Sequence, residues 1–300
     1  MIQAYRKGGE SMSRNAANLL FVLATFGWAS SYLFTKFAVN ELQPFMLVTL
    51  RFSLAFFITF ILFYKRLVHV KMATLRASAL LGALLCLMFT LFCIVLKTVN
   101  PSTAGFLLAT SVVIVPFIAM FFTRKWPQRQ IVIGAIVTFA GLCIFMFDRT
   151  MKIDGGVVLS LITAIFFAIH LVINNRLAQR HDALQLGVYQ LGFAAIFGAI
   201  CLFIFEPLQG PQTSLGWISV VVLAVVCSAF GFVVQSVVQQ YTSAEQTGFI
   251  LALEPIFAAI FAYIVLGDVL LGREWIGAIV IFIGVFIASY QPKLKPILAS

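Results

Sequence analysis

Ten stretches of about 20 predominantly apolar residues follow one another along the chain, and they constrain its fold more than any other feature. A helix of that length crosses the hydrocarbon core of a bilayer. With 62% of 300 residues hydrophobic and 10% charged, one water-soluble domain could not bury them. The stretches cover residues 17-39, 43-64, 74-97, 102-123, 131-148, 155-177, 184-206, 215-241, 244-266 and 275-291. The sequence therefore predicts an all-α integral membrane protein with ten transmembrane helices.

The lysines and arginines are concentrated in alternate connections between these stretches. If the N-terminus is cytoplasmic, 14 basic residues lie on the cytoplasmic side and 4 on the other. This bias follows the positive-inside rule and predicts a multi-pass cell-membrane protein with both termini cytoplasmic. The expected location is a bacterial inner membrane. It also explains the net charge of +10 without a nucleic-acid partner.

An internal repeat divides the chain into two halves. The sequences "IGAIVTFAGLCI" (133-144) and "IGAIVIFIGVFI" (276-287) share 8 of 12 residues at an offset of 143, and "GFLLA" (105-109) matches "GFILA" (248-252) at the same offset. A weaker match at offset 139 places Trp28 opposite Phe167. We expect a first repeat at 17-148 and a second at 155-291, with five helices each. An odd number of helices makes the second copy inverted, and in inverted-repeat transporters the substrate site lies between the halves near the midplane.

Ionisable and amide groups at membrane depth are candidates for a binding site, because they are costly unless they face a cavity or a partner. Arg51 lies about 12 Å along the second helix, where it is either a cation for an anionic solute or a structural tie between helices. His170 and Asn174 share one face of the sixth helix. Gln235 and Gln239 belong to a polar stripe on the eighth helix, which either lines a cavity or forms interhelical hydrogen bonds.

The ninth stretch carries a carboxylate followed by a proline. Pro255 cannot donate to the carbonyl of Leu251, so a break in the helix is expected here. Glu254 lies near the midplane, where an unpaired carboxylate would be protonated or matched to a cation such as Arg51. In the repeat alignment Pro116 predicts a similar break in the fourth helix.

Glycines seven residues apart mark one face of the fifth helix and one face of the tenth. These pairs, Gly134 with Gly141 and Gly277 with Gly284, allow helices to approach closely. They predict either packing between the halves or a homodimer contact. The five cysteines all lie in apolar stretches without a Cys-x-x-Cys pair, so we expect them to pack in the core and to bind no metal or cofactor.

The motifs "TFGWASSYLFTKFAV" (25-39), "PFMLVTLRF" (44-52) and "LALEPIF" (251-257) resemble the EamA-type permeases of the drug/metabolite transporter superfamily. The resemblance extends over nearly the whole chain. It implies ten helices in two inverted halves, a central cavity open to one side at a time, and secondary transport of an amino acid or similar small solute, often outward. The partners expected are this solute and the lipid bilayer.

The competing classes are an intramembrane enzyme and a channel. The sequence has no His-Glu-x-x-His metal pair, no Gly-x-Ser-x-Gly turn and no recognisable filter, so the permease is favoured and no enzymatic activity is expected. The candidate substrate-binding residues, which include the aromatic residues of the first helix, are Trp28, Tyr32, Arg51, His170, Asn174, Gln235, Gln239 and Glu254.

Overall fold

The computed structural model describes residues 12–99, 101–124, 126–146, 155–266 and 272–289, which form helices joined by short connections. Lipid offers no hydrogen-bond partner to the backbone, so apolar segments satisfy their N–H and C=O groups internally as helices. The helices are α1 (Arg14–Ala29), α2 (Ser31–Ala38), α3 (Pro44–Leu67), α4 (Met72–Thr98), α5 (Pro101–Ala109), α6 (Ser111–Thr123), α7 (Arg129–Met146), α8 (Gly155–Ala178), α9 (Ala183–Phe205), α10 (Ser214–Val222), α11 (Gly231–Val238), α12 (Ala244–Leu251), α13 (Glu254–Leu266) and α14 (Gly272–Ser289). A π-helical segment, Leu223–Phe230, joins α10 to α11.

Each of the ten predicted stretches corresponds to one helix or to a broken helix, which confirms the predicted all-α membrane fold. Six segments of the described chain are long and apolar enough to cross a bilayer. They are Asn15–Ala38, Pro44–Leu67, Met72–Thr98, Gly155–Ala178, Ala183–Phe205 and Ser214–Val238. Shorter apolar helices cover Leu107–Phe122, Arg129–Ile144 and Trp275–Ala288, and the ninth stretch consists of α12 and α13.

The fourth and ninth segments are broken at equivalent positions. The breaks lie at Thr110 and at Ala252–Leu253, and Thr110 is 143 residues before Leu253, which is the offset of the repeat. Pro255 lies in the first turn of α13, where its missing N–H leaves no helical bond unmade, so the predicted break is confirmed. Pro116, in contrast, lies inside α6, and the fourth segment breaks six residues before it.

The glycine faces of α7 and α14 pack against each other. A Cβ atom on Gly141 would lie 2.7 Å from the Ile281 nitrogen, and one on Gly284 would lie 2.6 Å from the Thr138 nitrogen. Of the two interpretations of these glycines, the structure supports packing between the halves, since their faces are already covered within the chain.

We expect Gly284→Ala to lower the thermal midpoint of the detergent-solubilised protein by roughly 2–10 °C, because an added methyl would push on the backbone of α7. The matched control is Gly272→Ala at the start of the same helix, where an added Cβ has no described residue within 4 Å. Equal midpoints for the two variants, measured by intrinsic fluorescence, would contradict backbone contact between α7 and α14.

Two glutamates join the halves at one end of the bundle. The Glu206 carboxylate accepts hydrogen bonds from the backbone nitrogens of Phe45 (3.0 Å) and Met46 (2.9 Å) in the first turn of α3. Glu41 accepts from the Gln212 nitrogen (2.9 Å), and from both the nitrogen and the hydroxyl of Thr213, just before α10. Each carboxylate thus satisfies backbone donors at a helix start in the other half.

Acid should weaken the Glu41 contact. The hydrogen bonds from Thr213 and Gln212 hold the pKa of Glu41 below its ordinary value of 4.5. A lowered folded-state pKa means that the contribution to stability is complete above pH 4.5 and is lost as the pH falls through the lowered value. We expect Glu41→Gln to flatten the acid limb of a thermal-midpoint profile between about pH 3 and 5. Identical acid limbs for variant and wild type would contradict this assignment.

Candidate functional site

A cavity lies near the middle of the bundle, between the breaks of the fourth and ninth segments. It contains about 520 Å³ of empty space, part of which opens to the outside. Both halves contribute to its wall. The described lining residues are Trp28, Ser31, Tyr32, Met88, Phe89, Phe92, Leu108, Ala109, Ser111, Phe167, Phe232, Leu251 and Glu254.

The wall follows the internal repeat. Several lining residues are related in pairs by the same offsets that align the two halves. At offset 143 these pairs are Phe89 with Phe232, Leu108 with Leu251 and Ser111 with Glu254, and at offset 139 the pair is Trp28 with Phe167. The cavity therefore lies where the two copies face each other, as the inverted repeat predicts. Glu254 opposite Ser111 places a carboxyl group on one side of this symmetry only.

Glu254 is half-buried and faces the cavity at the start of α13. Its carboxyl group lies close to the Tyr32 hydroxyl. Both residues line the cavity, one from each half. The sequence predicts a cation such as Arg51 beside the Glu254 carboxylate if that group is not protonated. In the structure Arg51 interacts with other groups.

Trp28 is held in the wall by the π-helical segment. The Gly231 N–H, which in an α-helix would bond to the Cys227 carbonyl, bonds instead to the carbonyls of Val226 and Ser228. The freed Cys227 carbonyl accepts a hydrogen bond from the Trp28 Nε1 at 2.6 Å. The close approach also requires glycine at 231, because a Cβ there would lie 2.7 Å from the indole Cε2.

Arg51 is buried behind the cavity wall, with 2% of its surface exposed. Its Nε donates to the Ser228 hydroxyl at 2.5 Å, and its guanidinium carbon lies 4.1 Å from the centroid of the Phe89 ring. Its Nη2 is buried without a hydrogen-bond partner among the residues that the structure describes. Phe89 therefore stands between this cation and the cavity, and Arg51 ties α3 to the π-helical segment.

The polar residues of α8, α9 and α11 form one hydrogen-bond network in the second half. All of its bonds join buried side chains, and from Gln190 onward each residue donates a hydrogen bond to the next. His170 Nε2 contacts Gln190 Oε1 (3.1 Å), Gln190 donates to Ser236 (3.1 Å), Ser236 to Asn174 (3.1 Å), Asn174 to Gln239 (2.6 Å) and Gln239 to Thr247 (3.0 Å). With Gln190 Nε2 donating onward, its Oε1 accepts, which makes His170 Nε2 the protonated nitrogen.

Gln235 stands outside this network. It is 0% exposed, and within the described part of the chain neither its amide nitrogen nor its amide oxygen has a hydrogen-bond partner. His170 Nδ1 is likewise buried without a partner in the described ranges, and the His170 ring stands edge-on to Phe232 with 5.9 Å between the ring centroids. Phe232 therefore separates His170 from the cavity.

The structure brings three of the eight candidate residues to the cavity, namely Trp28, Tyr32 and Glu254. The other five, Arg51, His170, Asn174, Gln235 and Gln239, are buried outside the described lining. Phe167 and Ser111 line the cavity but were not among the candidates. Their repeat partners Trp28 and Glu254 were, so the alignment of the halves is the signal that could have found them.

Comparison with known proteins agrees with this architecture. The model of the EamA-like transporter family matches the chain twice, at residues 15–147 and 154–290. Two proteins of Archaeoglobus fulgidus, both described as uncharacterized transporters, are 24% and 25% identical to the chain. The first match covers 95% of this chain and 89% of the relative, and the second covers 91% and 96%.

A shorter match involves a UDP-N-acetylglucosamine/UDP-N-acetylgalactosamine transporter of Caenorhabditis elegans, which is 29% identical over 36% of this chain and 33% of its own length. A protein of known crystal structure shares the fold with a TM-score of 0.77 at 20% sequence identity, over 92% of this chain and 97% of its own. The two family matches together span nearly all of the sequence. The chain belongs to the EamA-like transporter family and is a multi-pass membrane transporter.

Proposed function

We propose that this transporter moves a small metabolite, an amino acid or a similar solute, by alternating access, with export as the net direction. The observation that carries the proposal is the cavity between the two helix breaks, whose wall is built from repeat-related positions. A site on the axis between inverted halves can be exposed to either side when the halves rock. The proposal includes a bacterial inner-membrane location with both termini cytoplasmic, and it includes the repeats 17-148 and 155-291 as the two moving units.

Solute contact is proposed for Trp28, Tyr32 and Glu254, which face the cavity. Supporting roles are proposed for the remaining candidates, whose polar atoms are buried among helices. In the second half, the network from His170 to Thr247 joins α8, α9, α11 and α12 and would let them move together. In this view Arg51 acts across the halves, since its partner Ser228 belongs to the second repeat.

The test is exchange in proteoliposomes. Liposomes loaded with one unlabelled solute from a panel of amino acids and related metabolites are diluted into a trace of the same labelled solute. Alternating access predicts saturable uptake of label that accelerates with the unlabelled solute inside. Growth of an overproducing strain on toxic amino acid analogues narrows the panel, since resistance identifies an exported class.

Other outcomes identify the competing classes. Flux that rises linearly with concentration and is not accelerated from the opposite side indicates a channel. Chemical conversion of a solute, without movement of any member of the panel under any gradient, indicates an enzyme. Either result overturns the proposed mechanism. Liposomes without protein are the control for passive leak.

A further inference from the structure

The described cavity wall contains an acidic side chain but no basic one. Its thirteen described lining residues include one acid, Glu254, and no lysine, arginine or histidine. The buried guanidinium of Arg51 lies behind the Phe89 ring, and its Nε is engaged by Ser228. A bound solute therefore meets a carboxylate without an opposing cation in the lining.

The polar groups of the two largest amphipathic side chains already have polar neighbours. The Trp28 indole N–H donates to the Cys227 carbonyl, and the Tyr32 hydroxyl interacts with Glu254. In this arrangement the indole presents ring surface to the cavity and not its N–H. Apart from Glu254 and Tyr32, the polar lining side chains with a free-rotating hydrogen are Ser31 and Ser111. An anionic solute would find few strong donors here, and it would face the Glu254 carboxylate.

Six aromatic rings supply much of the remaining wall, and several stand at right angles to each other. Tyr32 and Phe92 have an interplanar angle of 82° at 5.4 Å, and Phe89 and Phe232 have one of 89° at 5.7 Å. Edge-to-face neighbours form adjoining aromatic walls of the cavity. Aromatic walls of this kind attract organic cations through their π faces, most strongly when the cation is desolvated.

From these observations we infer that the cavity selects an organic cation, an ammonium group attached to an apolar or aromatic body, with Glu254 as its counter-ion and the rings as its walls. This inference rests on the proposed function, because it names the solute class of the same site. A buried carboxylate without a basic partner is costly, and a bound ammonium would offset that cost.

The test uses four probes that share a phenyl ring and differ in charge: phenethylamine, 2-phenylethanol, 3-phenylpropionate and phenylalanine. Binding to the purified full-length chain is measured by isothermal titration calorimetry at pH 7. We expect phenethylamine to bind at least about tenfold more tightly than 2-phenylethanol. The anion should bind more weakly than the alcohol, and the zwitterion more weakly than the amine.

Variants assign the selectivity to the carboxylate and the rings. Glu254→Gln should reduce the affinity for phenethylamine by about tenfold and leave that for 2-phenylethanol nearly unchanged. Glu245→Gln, the same substitution nine residues earlier in the first turn of α12 and outside the lining, is the matched control. Phe89→Leu keeps an apolar wall but removes a π face, so it should weaken binding of the amine more than that of the alcohol. It provides a second variant if Glu254→Gln does not fold.

Two results overturn the inference. One is equal binding of amine and alcohol by the wild type, or a preference for phenylalanine or the anion. The other is an amine preference that survives unchanged in both Glu254→Gln and Phe89→Leu.

The exchange assay distinguishes failure of this inference from failure of the proposed function. If an anionic or neutral metabolite exchanges with acceleration from the opposite side while no amine binds, the transport function stands and the solute class is wrong. If amines bind but none of the panel or the amines exchanges, the transport mechanism is wrong.

Discussion

Trp28→Ala is expected to lower the free energy of unfolding by about 3–5 kcal/mol, the largest effect of any single change in the cavity wall. The indole is buried with 4% of its surface exposed, and it packs against Phe21 at 5.8 Å and Phe232 at 5.2 Å between ring centroids. Its removal leaves a void beside the cavity and also leaves the Cys227 carbonyl without its donor. Chemical unfolding in detergent, followed by circular dichroism, measures the change.

Trp28→Phe separates these two contributions. The phenyl ring keeps part of the packing but cannot donate to Cys227, so a buried carbonyl freed by the π-helical segment loses its partner. We expect a cost of about 1–3 kcal/mol for the unsatisfied carbonyl, together with a smaller packing loss. A Trp28→Phe variant as stable as wild type would show that the Nε1–H···O bond contributes little.

Gly231→Ala completes a double-mutant cycle. The added methyl meets the indole carbons Cε2 (2.7 Å) and Cζ2 (3.1 Å), and a phenyl ring at position 28 does not reach as far. Gly231→Ala should therefore be strongly destabilising in the wild type and clearly less so in the Trp28→Phe background, with a coupling energy of about 0.5–3 kcal/mol. Strict additivity would mean that residues 28 and 231 are not in contact.

The ten segments and the break before Glu254 could be predicted from the sequence because both depend on local properties. The length of an apolar run determines whether a helix spans the bilayer, and a proline acts on its own turn. The repeat offset also locates the cavity wall, since Phe167 and Ser111 follow from Trp28 and Glu254 once the halves are aligned. The break at Thr110 was placed wrongly at Pro116, since a proline inside a helix marks where one bond is missing and not where the chain turns.

Side-chain partners could not be predicted in the same way. Arg51 and Glu254 lie at similar depths by residue count, but depth is one coordinate and the direction around each helix decides which groups meet. Arg51 meets Ser228, which is 177 residues away in sequence, and Glu254 meets Tyr32. The π-helical segment that positions Trp28 has no proline or other strong local signal, because it is stabilised by the tertiary hydrogen bond from the indole to Cys227.

The second large effect is expected at Ser228. Ser228→Ala removes the acceptor of the Arg51 Nε, so a buried cation whose Nη2 has no partner among the described residues also loses the hydrogen bond of its Nε. Leaving a buried charge less satisfied should cost about 2–4 kcal/mol. Arg51→Met, which replaces the cation with an apolar chain of similar length, should leave stability near or above that of wild type, because no carboxylate partner of Arg51 is present among the described residues.

The order of stabilities is therefore the decisive measurement. We expect Arg51→Met to be at least as stable as wild type, and Ser228→Ala to be the least stable of the three in thermal unfolding. In the Arg51→Met background, Ser228→Ala should cost less than about 1 kcal/mol, since no cation remains to be left unpaired. The opposite result is that Arg51→Met is the most destabilised variant. That result would mean that the contacts of the guanidinium between α3 and the π-helical segment stabilise the fold by more free energy than burial of the charge costs. The cation would then be needed for assembly of the two halves.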